Sequence, residues 1–351
     1  MQQREDLIKQ ILEQIEPPLW SCWIIKEKIG VGSFSEVYRL EAEQNGNIAI
    51  SALKIEPLVS NRIAYSKEDK EQYIEKVVKL AENEINIMYQ LKGCPNIVQY
   101  EEEQRTPFYC HKKFEGYYQL IRMEFLFCIA DLLQKEEFDL SENNIKRFAV
   151  EIGNGICAAH KKGIMHRDIK PENLFVSEEK VYKLGDFNVS KQSEIGKTIA
   201  GTSEYMAPEI YYKSEDSDDI YTKQTDIYSF GITLYYLMNG LKFPLEDTGL
   251  DSEQALVKRM MEVELPLPKN ASIGFGRIIQ KACSYKVEER FQTIEEMITE
   301  IEILIENEKD GKESLKKEKK KYKSKEKKKR NTNRRAAITS NDNNIAITIT
   351  K

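Results

Sequence analysis

Apolar residues in the first sixteen positions recur at helical spacing: Leu7, Ile8, Ile11, Leu12 and Ile15 share one side, and Pro17 and Pro18 stop the helix. A helix of that kind either packs on its own domain or docks a partner. From Trp20 to Leu58, β-branched and apolar residues are broken by a glycine turn, which predicts a strand-turn-strand ribbon. Residues 67–91 are charged, yet Ile74, Val77, Val78, Ala81, Ile85 and Met88 keep helical spacing, so one long helix is expected there. Val98–Glu103 and Tyr117–Phe127 read as strands. Beyond about residue 130 the period turns helical, over Ser141–Lys161, Thr222–Met238, Ser252–Glu262, Ile273–Ala282 and Thr293–Ile305. Ser141 with Asn144 fits a helix start and Gly163 a stop. No period of about 20–50 residues repeats, which argues against a repeat fold. Strands first and helices later imply two lobes with a crevice between them.

Length and charge narrow this picture. At about 100–200 residues per domain, 351 residues allow one large bilobed unit or two ordinary domains, and 40% hydrophobic residues suffice to bury a core. Charge is unevenly spread. The net −5 hides 16 basic and 5 acidic residues from Lys309 to Lys351, which leaves residues 1–308 at −16. No run approaches about 18 uninterrupted apolar residues, so no transmembrane helix is expected. The start MQQREDLIKQ lacks the pattern of a signal peptide, Gln2 stands where myristoylation needs glycine, and no prenylation box closes the sequence. Six cysteines are scattered with no CxxC pair, and three histidines make no zinc constellation. Reduced thiols and a location in the cytoplasm and/or nucleus are the expectation.

Candidate chemistry begins at Ile29-Gly30-Val31-Gly32-Ser33-Phe34-Ser35-Glu36-Val37. Gly30 and Gly32, two apart at a strand turn, let backbone N–H groups approach phosphate closely; alone, the stretch also reads as a plain hairpin turn. Ala52-Leu53-Lys54 then ends a hydrophobic strand on a cation. A denser signal is His166-Arg167-Asp168-Ile169-Lys170-Pro171-Glu172-Asn173, which packs a base, cations and an amide into eight positions. Leu184-Gly185-Asp186-Phe187-Asn188 follows, then Gly201-Thr202-Ser203-Glu204-Tyr205-Met206-Ala207-Pro208-Glu209 and Asp226-Ile227-Tyr228-Ser229-Phe230-Gly231.

In these motifs, taken in order from about Trp23 to Ile305, the sequence resembles the eukaryotic protein kinase family, in its Ser/Thr branch. No subfamily is assigned. The resemblance implies an α+β, bilobal protein-kinase-like fold: a small antiparallel-sheet N-lobe with one long helix, and a larger, mainly helical C-lobe. The expected organisation is an amphipathic helix over 1–18, a kinase domain over 19–307 and a Lys-rich tail over 308–351. Within the kinase domain the N-lobe is 19–123, the hinge 124–127 and the C-lobe 128–307.

The resemblance also implies roles, with ATP and Mg²⁺ as cofactors. Lys54 would hold the α- and β-phosphates, steadied by Glu84 on the long helix, with Glu82 as the close competitor. Lys54 and Glu84 stand 30 positions apart, so residues 56–75 read as an insertion or a longer helix start. Asp168 would accept the hydroxyl proton, Lys170 would neutralise the γ-phosphate, and Asn173 and Asp186 would ligate Mg²⁺. Met123 resembles the gatekeeper and Glu124-Phe125-Leu126 the hinge, with Val37 and Ala52 packing on adenine. Glu209 would pair with Arg290, and Asp226 would hold the catalytic-loop backbone. Two positions depart from the family pattern: Ser35 replaces the third glycine of the phosphate loop, and Asn188 replaces the glycine after Asp186-Phe187. A catalytically silent scaffold is the competing class, with those two departures as its support.

Regulation is read from the same motifs. Arg167 and Lys191 would receive a phosphate on Thr198, four positions before Thr202. Protein substrates are expected, and Glu172, Glu204 and the −16 body favour basic ones, while Tyr236 stands where such kinases carry Glu. The Lys-rich tail reads as a solvated extension, a nucleic-acid or nuclear-import patch (Lys316–Arg330), a contact for anionic membranes, or a pseudosubstrate for its own kinase domain through Arg334-Arg335-Ala336-Ala337-Ile338.

Overall fold

A computed structural model describes residues 2–32, 35–59, 67–187, 203–212 and 221–310. Two compact units are distinguished, Met1–Thr299 and Glu300–Lys351; in the second, the described residues 300–310 are helical. None of the six cysteines is paired, and among the described residues no helix is long and apolar enough to cross a membrane.

The first unit opens with α1 (Gln2–Leu12) and an antiparallel sheet of β1 (Ile24–Val31), β2 (Glu36–Gln44), β3 (Asn47–Val59), β4 (Tyr100–Cys110) and β5 (Lys113–Glu124), in spatial order β1-β2-β3-β5-β4. Because successive side chains point to opposite faces, the sheet has two characters. Tyr38, Leu40, Ala42, Leu53, Ile55, Tyr118 and Leu120 face one side and are buried with Ile8, Ile11, Ile15, Leu19 and Trp23. The N-terminal helix therefore packs on its own domain. The other parity of β3 carries Ala52 and Lys54, and this face holds the chemistry.

The long helix α2 (Lys67–Leu91) has the bounds its periodicity predicts. Lys70 pairs with Glu115 of β5, and Arg105 of β4 holds Glu82 at 2.9 Å, so α2 is tied to the sheet. β4 runs well past Glu103. Its residues, Glu-Glu-Glu-Gln-Arg-Thr-Pro, show no apolar alternation, and as an edge strand it tolerates Pro107, which can donate no ladder bond.

The helical lobe contains α3 (Ile129–Gln134), α4 (Glu142–Lys161), α5 (Pro208–Tyr211), α6 (Lys223–Met238), α7 (Ser252–Arg259), α8 (Ile273–Ala282) and, within the first unit, helical residues 294–299. A small sheet of β6 (Phe127–Cys128), β7 (Leu174–Val176) and β8 (Tyr182–Leu184) accompanies it. Sequence periodicity misses these strands, because two or three residues hold no period. Ser141 stands at the α4 N-cap position, but its hydroxyl donates to Asp139 Oδ2 (3.0 Å) instead of capping the helix. Gly163 ends α4 with φ +74°, the left-handed turn that glycine adopts freely. α7 stops three residues short of expectation, where Met260 turns inward and is 1% exposed.

Candidate active site

The phosphate-loop candidate sits where β1 meets β2, with Gly30 opposite Val37. Gly32 N–H donates to the Ser35 carbonyl (2.8 Å), and a Cβ at Gly32 would lie 2.7 Å from Ser35 Oγ. Ser35 is thus turned inward against Gly32, and the loop closes on a glycine that cannot be enlarged without displacing it. Across the sheet, Val37 lies opposite Lys54 and Ala52 opposite Met123, so the adenine and phosphate candidates occupy adjacent strands.

Lys54 Nζ meets Glu84 Oε1 at 2.6 Å and Asp186 Oδ1 at 3.5 Å. Glu82 is on another face of α2, bound to Arg105. Burial opposes charge on Lys54, but Glu84, Glu56 and Asp186 outweigh it and hold the ammonium well above its ordinary value. Burial also lifts the Glu84 carboxyl to about 7, with Lys54 pulling it down and Glu56 and Asp186 pushing it up.

The loop from His166 to Asn173 is held from beneath. Asp226, 1% exposed on α6, accepts from the backbone N–H of His166 (2.8 Å) and Arg167 (2.7 Å) and contacts His160 Nε2 at 2.8 Å. Arg167 has φ +69°, a conformation disfavoured for a side chain of its size, and Asp226 fixes it. His166 Nε2 reaches the Gly185 carbonyl at 2.7 Å, while Asp168 N–H donates to His166 Nδ1 at 3.3 Å. Those two contacts define an imidazole protonated at Nε2. The Phe187 ring packs against His166 with centroids 4.8 Å apart.

Asp168 is oriented by two donors on the same oxygen. Asn173 Nδ2 reaches Asp168 Oδ2 at 3.0 Å, and Lys170 Nζ reaches it at 3.2 Å. Gly185 N–H donates to the Asn173 carbonyl (3.0 Å), which sets Asp186 beside the loop. A Cβ at Gly185 would lie 2.6 Å from Val98 Cγ2 and 2.9 Å from the Phe175 ring, so only glycine fits in front of Asp186. At the hinge, Glu124 N–H donates to the Gln99 carbonyl (3.1 Å), and its carboxylate takes Gln99 N–H (2.6 Å) and Lys183 Nζ (2.8 Å). Met123 and Leu126 flank it, half-buried.

Sequence reasoning left His160, His166, Gln99 and Lys183 without roles. His166 stands inside the quoted motif, but His160 meets Asp226 from 66 positions away, and Gln99 and Lys183 meet Glu124 from 25 and 59, so nothing in their neighbourhood announces those contacts. Glu209 and Arg290 form a bidentate pair, 2.8 Å at each end. Arg167 stacks its guanidinium 5.2 Å from the Tyr221 ring centroid. Thr198, Thr202, Lys191, Asn188 and the tail over 311–351 lie outside the described residues.

A family model for the protein kinase domain matches residues 23–301. A probable protein kinase of Dictyostelium discoideum is 29% identical over 251 residues, 69% of this chain and 61% of that protein. The serine/threonine-protein kinase Nek4 of Mus musculus is 29% identical over 273 residues, 75% of this chain and 30% of its own length. A probable serine/threonine-protein kinase of Clostridium perfringens is 34% identical over 158 residues, 44% of this chain and 22% of that protein. The chain belongs to the protein kinase domain family, with no subfamily assigned. It spans less than two thirds of the length of these relatives, from 22% to 61%.

Proposed function

We propose that this chain transfers the γ-phosphate of Mg-ATP to Ser and Thr hydroxyls of proteins. The observation that carries this reading is Lys54, buried between Glu84 at 2.6 Å and Asp186 at 3.5 Å. A cation so placed suits phosphate oxygens, because the carboxylates hold it charged and aimed. The donor set fits a hard cation: Asp186 brings a carboxylate, and Asn173 turns its amide nitrogen to Asp168 and so has its oxygen end for a metal. Bound there, Mg²⁺ would neutralise charge on the phosphates.

The remaining roles belong to the chain's own residues. Gly30 and Gly32 bring backbone N–H groups to the phosphates. Val37, Ala52 and Met123 pack on the base, and the backbone of Glu124 and Leu126 pairs with its edge. Asp168, its plane fixed through Oδ2, receives the hydroxyl proton, and Lys170 screens the transferring phosphoryl group. Phosphate on Thr198, met by Arg167 and Lys191, raises activity. Basic proteins are the favoured substrates, and the tail serves as a contact for nucleic acid, import machinery or the kinase domain itself. The proposed location is cytoplasm and/or nucleus.

Label transfer from ATP with Mg²⁺ to Ser/Thr peptides tests the reading, with Asp168→Asn as the control. The variant should lose about 10²–10⁴-fold in turnover. Equal transfer by both proteins, or none by the wild type, would refute it.

A further inference from the structure

The apolar outer face of the five-stranded sheet ends on a cation. Arg122 of β5 shares the parity of Tyr118 and Leu120, which are buried on that face, and lies opposite Leu53 of β3. Its side chain is 16% exposed, and its Nε is buried with no hydrogen-bond partner. A guanidinium so placed costs stability unless its charge is met from elsewhere.

Two indoles and two carboxylates meet it. The guanidinium carbon lies 4.6 Å from the Trp23 ring centroid and 5.8 Å from that of Trp20. Trp20 and Ser21 have φ +45° and +72°, a conformation that bulky residues avoid, and this turn sets both rings over one cation. Arg122 Nη1 donates to Glu101 Oε2, and Nη2 donates to Glu102 Oε2 at 3.0 Å. Consecutive strand residues normally point to opposite faces. Here β4 is bulged, with Tyr100 opposite Met123 and Glu102 opposite Arg122, and the extra residue Glu101 turns to the same cation.

The network continues to the hinge. Ser51, 0% exposed, places its hydroxyl 2.8 Å from Glu101 Oε2 and 3.0 Å from the Met123 carbonyl. One hydroxyl proton thus has two acceptors, and a carboxylate is the stronger. Arg122 donates to that same carboxylate oxygen, which weakens its claim and leaves the proton for the carbonyl. The N–H of the same peptide, that of Glu124, donates to the Gln99 carbonyl at 3.1 Å. The Met123–Glu124 peptide is therefore pinned at both ends, directly behind the inner face on which Ala52 and Met123 stand opposite each other.

We propose that Arg122, clamped by Trp20 and Trp23, is a positioning residue of the nucleotide site: through Glu101 and Ser51 it fixes the hinge peptide beside which adenine binds. This rests on the nucleotide-binding part of the phosphotransfer reading and makes the segment before β1 part of that site. The indoles restrict the guanidinium, the guanidinium orders both acids, and the acids decide where the Ser51 proton goes.

Calorimetric titration with ATP and with adenosine tests this, alongside KM for ATP. Ser51→Ala should weaken both ligands by the same factor, about fivefold, because the lost contact lies behind adenine and not at the phosphates. The loss in turnover should lie in KM rather than kcat. Arg122→Gln and Trp20→Leu should weaken adenosine to a similar degree, while Trp20→Phe, which keeps a ring face, should retain wild-type affinity. Because all act through one peptide, adding Ser51→Ala to Arg122→Gln should cost nothing further, whereas independent structural damage would add. If Arg122→Gln does not fold, Trp20→Leu takes its place in that cycle. Additive losses, a loss for ATP without one for adenosine, or wild-type adenosine affinity in Ser51→Ala would each overturn the proposal, and so would a wild type that binds no adenosine. If the variants weaken adenosine as expected but no peptide is phosphorylated, the clamp stands and phosphotransfer falls. If peptides are phosphorylated and no variant changes adenosine affinity, the clamp alone falls.

Discussion

Two buried cations in this molecule are treated in opposite ways. Arg290, 2% exposed, has every guanidinium N–H engaged: Nε on the Ser284 carbonyl, Nη1 on Glu209 and the Gln224 carbonyl, Nη2 on Glu209 and the Tyr285 carbonyl. Its face lies 4.7 Å from the Tyr228 ring centroid. Lys54 is nearly as buried, at 7% exposed, yet its second carboxylate, Asp186, stands 3.5 Å away with 32% of its side chain exposed. A saturated network has no capacity for a ligand and serves architecture. A network with a reachable carboxylate can rearrange around incoming charge.

The largest effect expected from breaking this contrast is on the saturated side. Arg290→Met leaves Glu209 without its guanidinium and should cost about 3–5 kcal/mol in unfolding free energy, read by chemical denaturation. An unchanged midpoint would mean the network is not structural. Lys54→Met should behave in the opposite sense. Turnover should fall about a hundredfold or more. Stability should fall by less than in the Arg290 variant, because Glu84, already lifted to about 7, takes a proton once its partner is gone. Equal destabilisation by the two changes would remove the distinction between the cations.

A smaller effect separates the catalytic-loop anchor from both. Burial pushes Asp226 up, but the His160 contact and the backbone donors prevail and hold its carboxyl below the ordinary range. A depressed carboxyl contributes stability above its unfolded value and loses it as pH falls through the folded one. Asp226→Asn should therefore cost about 1.5–3 kcal/mol at neutral pH, and the gap to wild type should close below about pH 4. Denaturation curves against pH for both proteins measure it, since their other carboxylates cancel. A gap that stays constant into acid would show that the charge of Asp226 contributes nothing.

The contrast also explains what the sequence could disclose. The long helix, the helical lobe and the motif residues are legible because each depends on local periodicity or on a cluster of reactive types within a few positions. β4 and the small sheet are illegible because pairing partners, rather than alternation, define them. Asp226 and Arg290 are legible as motif members, whereas His160 is not, since only the folded chain brings it 66 positions across to Asp226.

Glu82 and Glu84 give the mildest test and the most direct one. Both are acids on α2, two positions apart, and periodicity cannot rank them. On a helix, two positions turn a side chain to nearly the opposite face. Glu84 accordingly points inward to Lys54, and Glu82 outward to Arg105, where its side chain is 52% exposed. An exposed pair contributes about 0–1 kcal/mol because water and salt screen it. Glu82→Gln should therefore leave turnover unchanged and stability within that range. Glu84→Gln should raise KM for ATP, because Lys54 loses the group that aims it and is left to Asp186, which the metal also needs. If Glu82→Gln lowers turnover as much as Glu84→Gln, the partner of Lys54 in the working enzyme is not the one this fold places at 2.6 Å.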